Sequence, residues 1–203
     1  IVEAALLRRL AAREVWVGAD FRFGHRRAGD VALLSKLGEQ HGFGVRVLDT
    51  VSDHAERISS SRLRSALLAG DFGTAAALLG APYSYSQRVT RGKQLGRQLG
   101  YPTANLHWLS PLMHGIYAVR VCGAGLNRHP AVASIGTRPT VNGREPLLEV
   151  HLFDWSGDLY GQRLTVEFIA RQRDELKFDS LEALVRQMDA DAAQARATLA
   201  LHP

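Results

Sequence analysis

The chain has 203 residues, 46% of them hydrophobic, enough for one large domain or two small ones with real cores. It contains no apolar run of about 20 residues and no signal-peptide pattern, which excludes a helical membrane span. The single cysteine, Cys122, excludes internal disulfides and a cysteine zinc cluster and fits a reducing cytoplasm, while a net charge of +5 points to anionic partners, nucleic acid or nucleotide phosphates. The eight histidines are scattered without HExxH-type spacing, so no structural metal site is expected from them.

The chain begins at Ile1, already in a helical pattern that continues to Arg13, as a fragment of a longer sequence would. Val15–Gly18 is a short apolar strand run, Asp30–His41 returns to helical spacing, and Gly44–Leu48 is a second strand. Strand, helix, strand with short turns predicts a parallel βαβ unit. Between its first strand and its helix lies the aromatic-anchored loop that begins at Asp20. A helix opens at Ser59-Ser60-Ser61-Arg62-Leu63-Arg64, where hydroxyls and backbone N–H groups serve either capping or an anion. It runs to Ala69, Gly70-Asp71-Phe72 breaks it, and a second helix from Thr74 ends at Gly80-Ala81-Pro82. That ending sets a domain boundary between residues 81 and 82.

From Tyr83 the pattern changes to short alternating runs: Tyr83–Thr90, Gly115–Val121, Pro130–Ile135, Leu147–Phe153 and Arg163–Phe168. Five or six short strands with turn signals between them predict a small closed antiparallel barrel. Ser180 then caps a helix over Leu181–Leu201, whose stripe of Leu181, Leu184, Met188 and Ala192 is expected to pack on that barrel.

The most informative stretch is GKQLGRQLGYPTAN, Gly92 to Asn105. Three glycines and a proline suit no helix or strand interior. They do suit a backbone approaching an anion: N–H groups of Gly92 to Arg97, including Gly96, converge on phosphate oxygens, with charge from Lys93 and Arg97. Thr103 and Asn105, two apart, project to one side if the segment is extended and offer oxygen to a hard cation. The pattern is neither GxxxxGK[ST] nor GxGxxG, and composition alone also permits a flexible basic hairpin.

Longer matches give the sequence a resemblance. GADFRFGHRRAGD (Gly18–Asp30) and RISSSRLR (Arg57–Arg64) look like the second half of the adenylyltransferase domain of bacterial bifunctional riboflavin kinase/FAD synthetases. The resemblance implies a partial Rossmann-like nucleotidyltransferase domain over residues 1–81. It assigns Asp20, Ser59, Ser60, Ser61 and Arg64 to that domain's nucleotide site, Ser61 standing where the family has threonine. The family's HxGH-type motif is not in this sequence, so adenylyl transfer by these 203 residues is not expected.

GKQLGRQLGYPTAN, SIGTRPT (Ser134–Thr140), LEVHLFDW (Leu148–Trp155), DLYGQ and RDELKFDSLEAL occur in the order found in riboflavin kinases. The implied fold is α/β plus mainly β, with a six-stranded antiparallel riboflavin-kinase barrel and a C-terminal helix over residues 82–203. The implied activity is transfer of phosphate from ATP to riboflavin, giving FMN and ADP, with Mg²⁺ held by Thr103 and Asn105. Gln87, where many relatives have glycine, is one local departure. The base would be Glu149, on the strand face opposite Val150 and Leu152. Glu145 is the rival carboxylate, in an expected turn, and His151 is expected to be a packed or solvent-facing strand residue. Arg173 corresponds to a position near the flavin, although a salt bridge with Asp174 or Glu175 explains it too. Phe178 either closes over the flavin or staples the helix start. No nucleic acid or membrane partner is expected, and the oligomeric state stays open. An incomplete parallel sheet predicts an exposed apolar edge, and with it partial disorder or a dimer. Two alternatives remain: a basic nucleic-acid-binding barrel, which would need exposed stacking aromatics, and a flavin-binding remnant without catalysis.

Overall fold

The computed structural model describes residues 2–53, 56–92, 96, 99–108, 111–140 and 143–202. It divides into two compact units, Ile1–Ile58 and Ser59–Pro203. In the first, a single π-helical segment covers Val2–Leu7, shorter than the helix expected to Arg13. Strand β1 (Glu14–Gly18), helix α1 (Val31–His41) and strand β2 (Gly44–Leu48) form the expected βαβ unit, with β1 and β2 paired in parallel. Asp30 caps α1 by accepting from the Leu33 N–H at 2.9 Å. Val17, Leu34 and Phe43 are buried between sheet and helix, while Trp16 on the other face of β1 is 57% exposed. A two-residue ladder, β3 (Ser52–Asp53) with β4 (Glu56–Arg57), completes the unit.

The second unit opens with α2 (Ser60–Ala69), capped by Ser59, and α3 (Phe72–Leu79), capped by Asp71 through the Thr74 N–H at 2.9 Å. The sequence grouped these helices with residues 1–81. In the structure they belong to the barrel's compact unit, because α3 sends Phe72 into an aromatic cluster with Tyr83, Tyr117 and Phe168. The Phe72 and Phe168 rings stack at 5.8 Å, within the range where such pairs attract beyond area burial.

Six strands then close the barrel: β5 (Ser84–Thr90), β6 (Ala104–His107), β7 (Gly115–Gly123), β8 (Leu126–Thr140), β9 (Gly143–Leu152) and β10 (Arg163–Arg173), in the order β10-β5-β6-β9-β8-β7. All six pairings are antiparallel. Period-two alternation puts Leu148, Val150 and Leu152 inside with Leu106, Val119 and Ile135, each buried, so the barrel is filled by side chains. The β8–β9 hairpin is much longer than its apolar runs suggested. Glu145, expected in a turn, lies within β9 opposite Arg138.

Helix α4 (Leu181–Leu201), capped by Ser180, lies across the barrel's outer face. Ala195 and Leu199 are buried against Ala118 and Phe153, with Ala192 packed beside them. Leu181 departs from the expected stripe and is 55% exposed. Because Leu148 has no exposed surface and neighbours from facing strands, Leu148→Ala should cost about 3 kcal/mol, read as a lower urea midpoint without change of slope.

Candidate active site

Strand pairing assembles the site. Thr90 on β5 is opposite Asn105 on β6, Asn105 opposite Glu149 on β9, Glu149 opposite Ser134 on β8, Ser134 opposite Ile116 on β7, and Ile116 opposite Arg173 on β10. Directly paired residues share a sheet face, so one row of side chains crosses all six strands. The row lies on the outer face, since its neighbours along each strand, such as Leu106, Leu148 and Ile135, fill the interior. Asn105, Glu149, Ser134, Ile116 and Arg173 all line a single cavity of about 440 Å³. Leu184, Met188 and Asp191 of α4 line it too, with Leu176 and Phe178 from the segment preceding that helix. The volume suits a small organic ligand.

At one end of the cavity stand Thr103 and Asn105. Asn105 is 6% exposed, and among the described residues its Nδ2 reaches the Thr103 carbonyl at 3.5 Å while its buried Oδ1 meets no hydrogen-bond partner. An unpaired buried carbonyl oxygen costs about 1–3 kcal/mol, a cost that a ligand at this end of the cavity would relieve. Oxygen from Asn105 and Thr103 is the donor chemistry of a hard cation, and the residues present fit one. Among the described residues no cluster of three or more His, Cys, Asp or Glu offers another metal site.

Two glycines of the 92–105 stretch, Gly92 and Gly96, have a steric reason. A Cβ on Gly92 would fall 2.7 Å from Asn105 Nδ2, and one on Gly96 only 2.3 Å from the Tyr101 carbonyl oxygen. At Gly96 the Tyr101 peptide leaves no room for a side chain, and at Gly92 a side chain would have to displace that of Asn105. Lys93 and Arg97, expected at the phosphates, lie outside the described residues.

Arg173 is not paired as the sequence suggested. Its guanidinium grips Asp191 of α4 through Nε at 2.8 Å and a second nitrogen at 2.5 Å, and donates to the Asp174 carbonyl at 2.7 Å. Asp174 carries its own ion pair with Arg171. Asp191 is 5% exposed and also accepts from Gln187 at 2.9 Å. The sequence reading missed Asp191, although a carboxylate three residues after Met188 within an otherwise apolar stripe was the available signal. Tyr101 donates to Asp189 of α4, and burial, then that bond, pushes its hydroxyl up to about 12.

A second cavity, about 280 Å³, lies beyond Thr103 and is lined by Pro102, Thr103, Trp155, Asp158 and Tyr160 among others. Thr103 borders both cavities.

The residues assigned to adenylyl transfer are placed differently. Asp20 is held by Arg57 through two bonds of 2.8 Å, and that guanidinium keeps its carboxyl below the usual carboxylate range. Ser59 accepts from the Arg62 N–H at 3.3 Å as a helix cap. Ser60, Ser61 and Arg64 are exposed on α2.

Comparison with known proteins identifies the barrel. The riboflavin kinase family model matches residues 79–199. The chain belongs to the riboflavin kinase family. Residues 1–62 match the FAD synthetase model, in keeping with the βαβ unit as part of a nucleotidyltransferase domain. The chain is 43% identical over 194 residues to the bifunctional riboflavin kinase/FMN adenylyltransferase of Escherichia coli, covering 94% of this chain and 62% of that protein. Against the protein of the same name from Pseudomonas fluorescens it is 45% identical over 203 residues, covering 98% and 65%. The chain thus spans a little under two thirds of the length of these relatives. A solved structure from Streptococcus pneumoniae, described as a macrolide-efflux protein, superposes with TM-score 0.66 at 35% identity, covering 96% of this chain and 64% of that one. These matches do not favour the nucleic-acid-binding alternative.

In this member of the family the Arg173–Asp191 pair ties α4 to β10 beside the cavity, with side chains 20% and 7% exposed. Asp191→Ala strands a poorly solvated guanidinium and should cost about 3 kcal/mol, whereas Asp191→Asn, which keeps one acceptor, should cost less. Urea unfolding of the two variants beside the wild type checks the order.

Proposed function

We propose that this chain phosphorylates riboflavin at the expense of ATP, giving FMN and ADP. The observation that carries the reading is the pairing of Asn105 with Glu149 across β6 and β9, which sets an orphaned buried oxygen beside a carboxylate at one end of a ligand-sized cavity. The flavin would occupy the larger cavity between the barrel face and α4, with Leu176, Phe178, Leu184 and Met188 giving an apolar lining for the ring system. The nucleotide would lie on the other side of Thr103, in the smaller cavity, with phosphates led by Gly92, Lys93, Gly96 and Arg97 toward Thr103.

Thr103 and Asn105 would hold Mg²⁺, which when bound supplies neutralising charge for the phosphate oxygens. Glu149 accepts the proton of the terminal ribityl hydroxyl as that oxygen bonds to the γ-phosphorus, and the bond from γ-phosphorus to the β,γ-bridging oxygen breaks to release ADP. Arg173, fixed by Asp191, borders the same cavity as one half of an ion pair. Thr103, Asn105 and Glu149 occurring together support catalysis over a flavin-binding remnant.

Adenylyl transfer to FMN, part of the relatives' name, is proposed for a chain that carries the HxGH-type motif and not for these 203 residues. The efflux description of the Streptococcus pneumoniae structure is not carried over, since the barrel interior here is filled by Leu106, Leu148, Val150 and their neighbours. Among the described residues no helix is long and apolar enough to cross a membrane. The cytoplasm is the proposed compartment, where ATP and Mg²⁺ are available.

Incubation with riboflavin, ATP and Mg²⁺, followed by chromatography, should give FMN without FAD. Glu149→Gln should lower the rate about a hundredfold, the contribution of a positioned base, while riboflavin binding by fluorescence quenching persists. Unchanged turnover in Glu149→Gln would remove Glu149 from the base role. Gly92→Ala should lower turnover as well, because the added methyl displaces Asn105, while flavin binding changes little.

A further inference from the structure

His151 follows Glu149 by two on β9 and so shares its outer face. It is not the base, yet its surroundings are built. Its ring lies between Tyr101, at 4.9 Å, and Phe153, at 5.9 Å. Its Nδ1 is 2.9 Å from the Pro102 carbonyl oxygen. A carbonyl oxygen only accepts, so Nδ1 carries the hydrogen and donates it. Proline at 102 brings no backbone donor of its own and fixes its own φ, so the peptide leading into Thr103 is set by what its carbonyl meets. Pro102 and Thr103 line the smaller cavity, and Thr103, Asn105 and His151 line the larger one. The bond therefore spans the wall between them.

We propose that His151 is a positioning residue. By donating from Nδ1 to the Pro102 carbonyl it holds the turn that aims the oxygens of Thr103 and Asn105 at one point, and so prepares the cation-dependent part of nucleotide binding. The proposal rests on the kinase reading above. It differs from a packing role, because packing needs the ring and positioning needs the donor.

Two variants separate the ring from the donor. His151→Phe keeps an aromatic ring between Tyr101 and Phe153 and removes the donor. His151→Asn removes the ring and keeps a side-chain N–H the same number of bonds from the backbone as Nδ1. The probe is ADP, titrated by calorimetry into the full chain with Mg²⁺ and again with the metal chelated, and the readout is the gain in ADP affinity that Mg²⁺ provides. Riboflavin binding by fluorescence quenching is followed alongside.

His151→Phe should reduce the Mg²⁺-dependent gain by about two- to tenfold, the range for one lost hydrogen bond, and leave metal-free ADP binding unchanged. His151→Asn should keep the gain within about twofold of the wild type. The assignment is overturned if His151→Phe keeps the full gain, or if His151→Asn loses it. If His151→Phe does not fold, the His151→Asn result alone decides in the same way. A wild type that binds riboflavin but gains no ADP affinity from Mg²⁺ would overturn the kinase reading, and the role of His151 with it.

Discussion

Asn105 and Glu149 face each other across β6 and β9, and that register is the constraint on which the rest of the structure depends. A slip of one residue on either strand would turn the pair inward and bring Leu106 or Leu148 out to the surface. Both leucines are fully buried in the barrel, so the hydrophobic core enforces the register on which the proposed chemistry depends. Ser134, Ile116 and Arg173 follow from the same ladder. A row of side chains from six strands is thereby held by backbone pairing, with rigid elements carrying the functional groups.

The outer face of a small barrel is ordinarily given to solvent. Here α4 and the segment before it roof it, and the helix divides its labour along its length. Its C-terminal half, through Ala195 and Leu199, packs on the barrel, while Leu184 and Met188 in its N-terminal half leave room for a cavity. Polar ties at Asp189 to Tyr101 and Asp191 to Arg173 fix the cavity's edges. Asn105 and Asp191, the buried polar residues among those described, both line that one cavity. Asp191 is paired with Arg173 and Gln187, whereas Asn105 Oδ1 has no partner among the described residues. Such a cost is tolerated where a ligand relieves it.

Local patterns in the sequence carried much of the fold. The βαβ unit, the caps at Asp30, Ser59 and Ser180, and the apolar strand runs each have a signature within a few residues. β6 was harder to see, because Ala104–His107 is short and follows a glycine-rich stretch that resembles a loop. The length of β8 and β9 was hidden by Pro139, Pro146 and Gly143, which interrupt the apolar alternation yet lie in the ladder. The grouping of α2 and α3 with the barrel depends on long-range contacts of Phe72 that no local pattern encodes. Thr103, Asn105 and Glu149, which line one cavity, were singled out because they fall within motifs. Asp191 and Tyr101 were not, since their roles arise only where α4 lands on the barrel.

The central claim is that Thr103 and Asn105 form a cation site at the phosphate end of the flavin cavity. The most direct measurement is a crystal structure of the chain with ADP and Mn²⁺ in place of Mg²⁺, with data collected for the anomalous signal of manganese. An anomalous peak bonded to Asn105 Oδ1 and the Thr103 hydroxyl, on the side of Glu149, is expected. A peak elsewhere with Asn105 still unpartnered, for example at Asp158 or at the Asp189 and Asp191 carboxylates of α4, would contradict it.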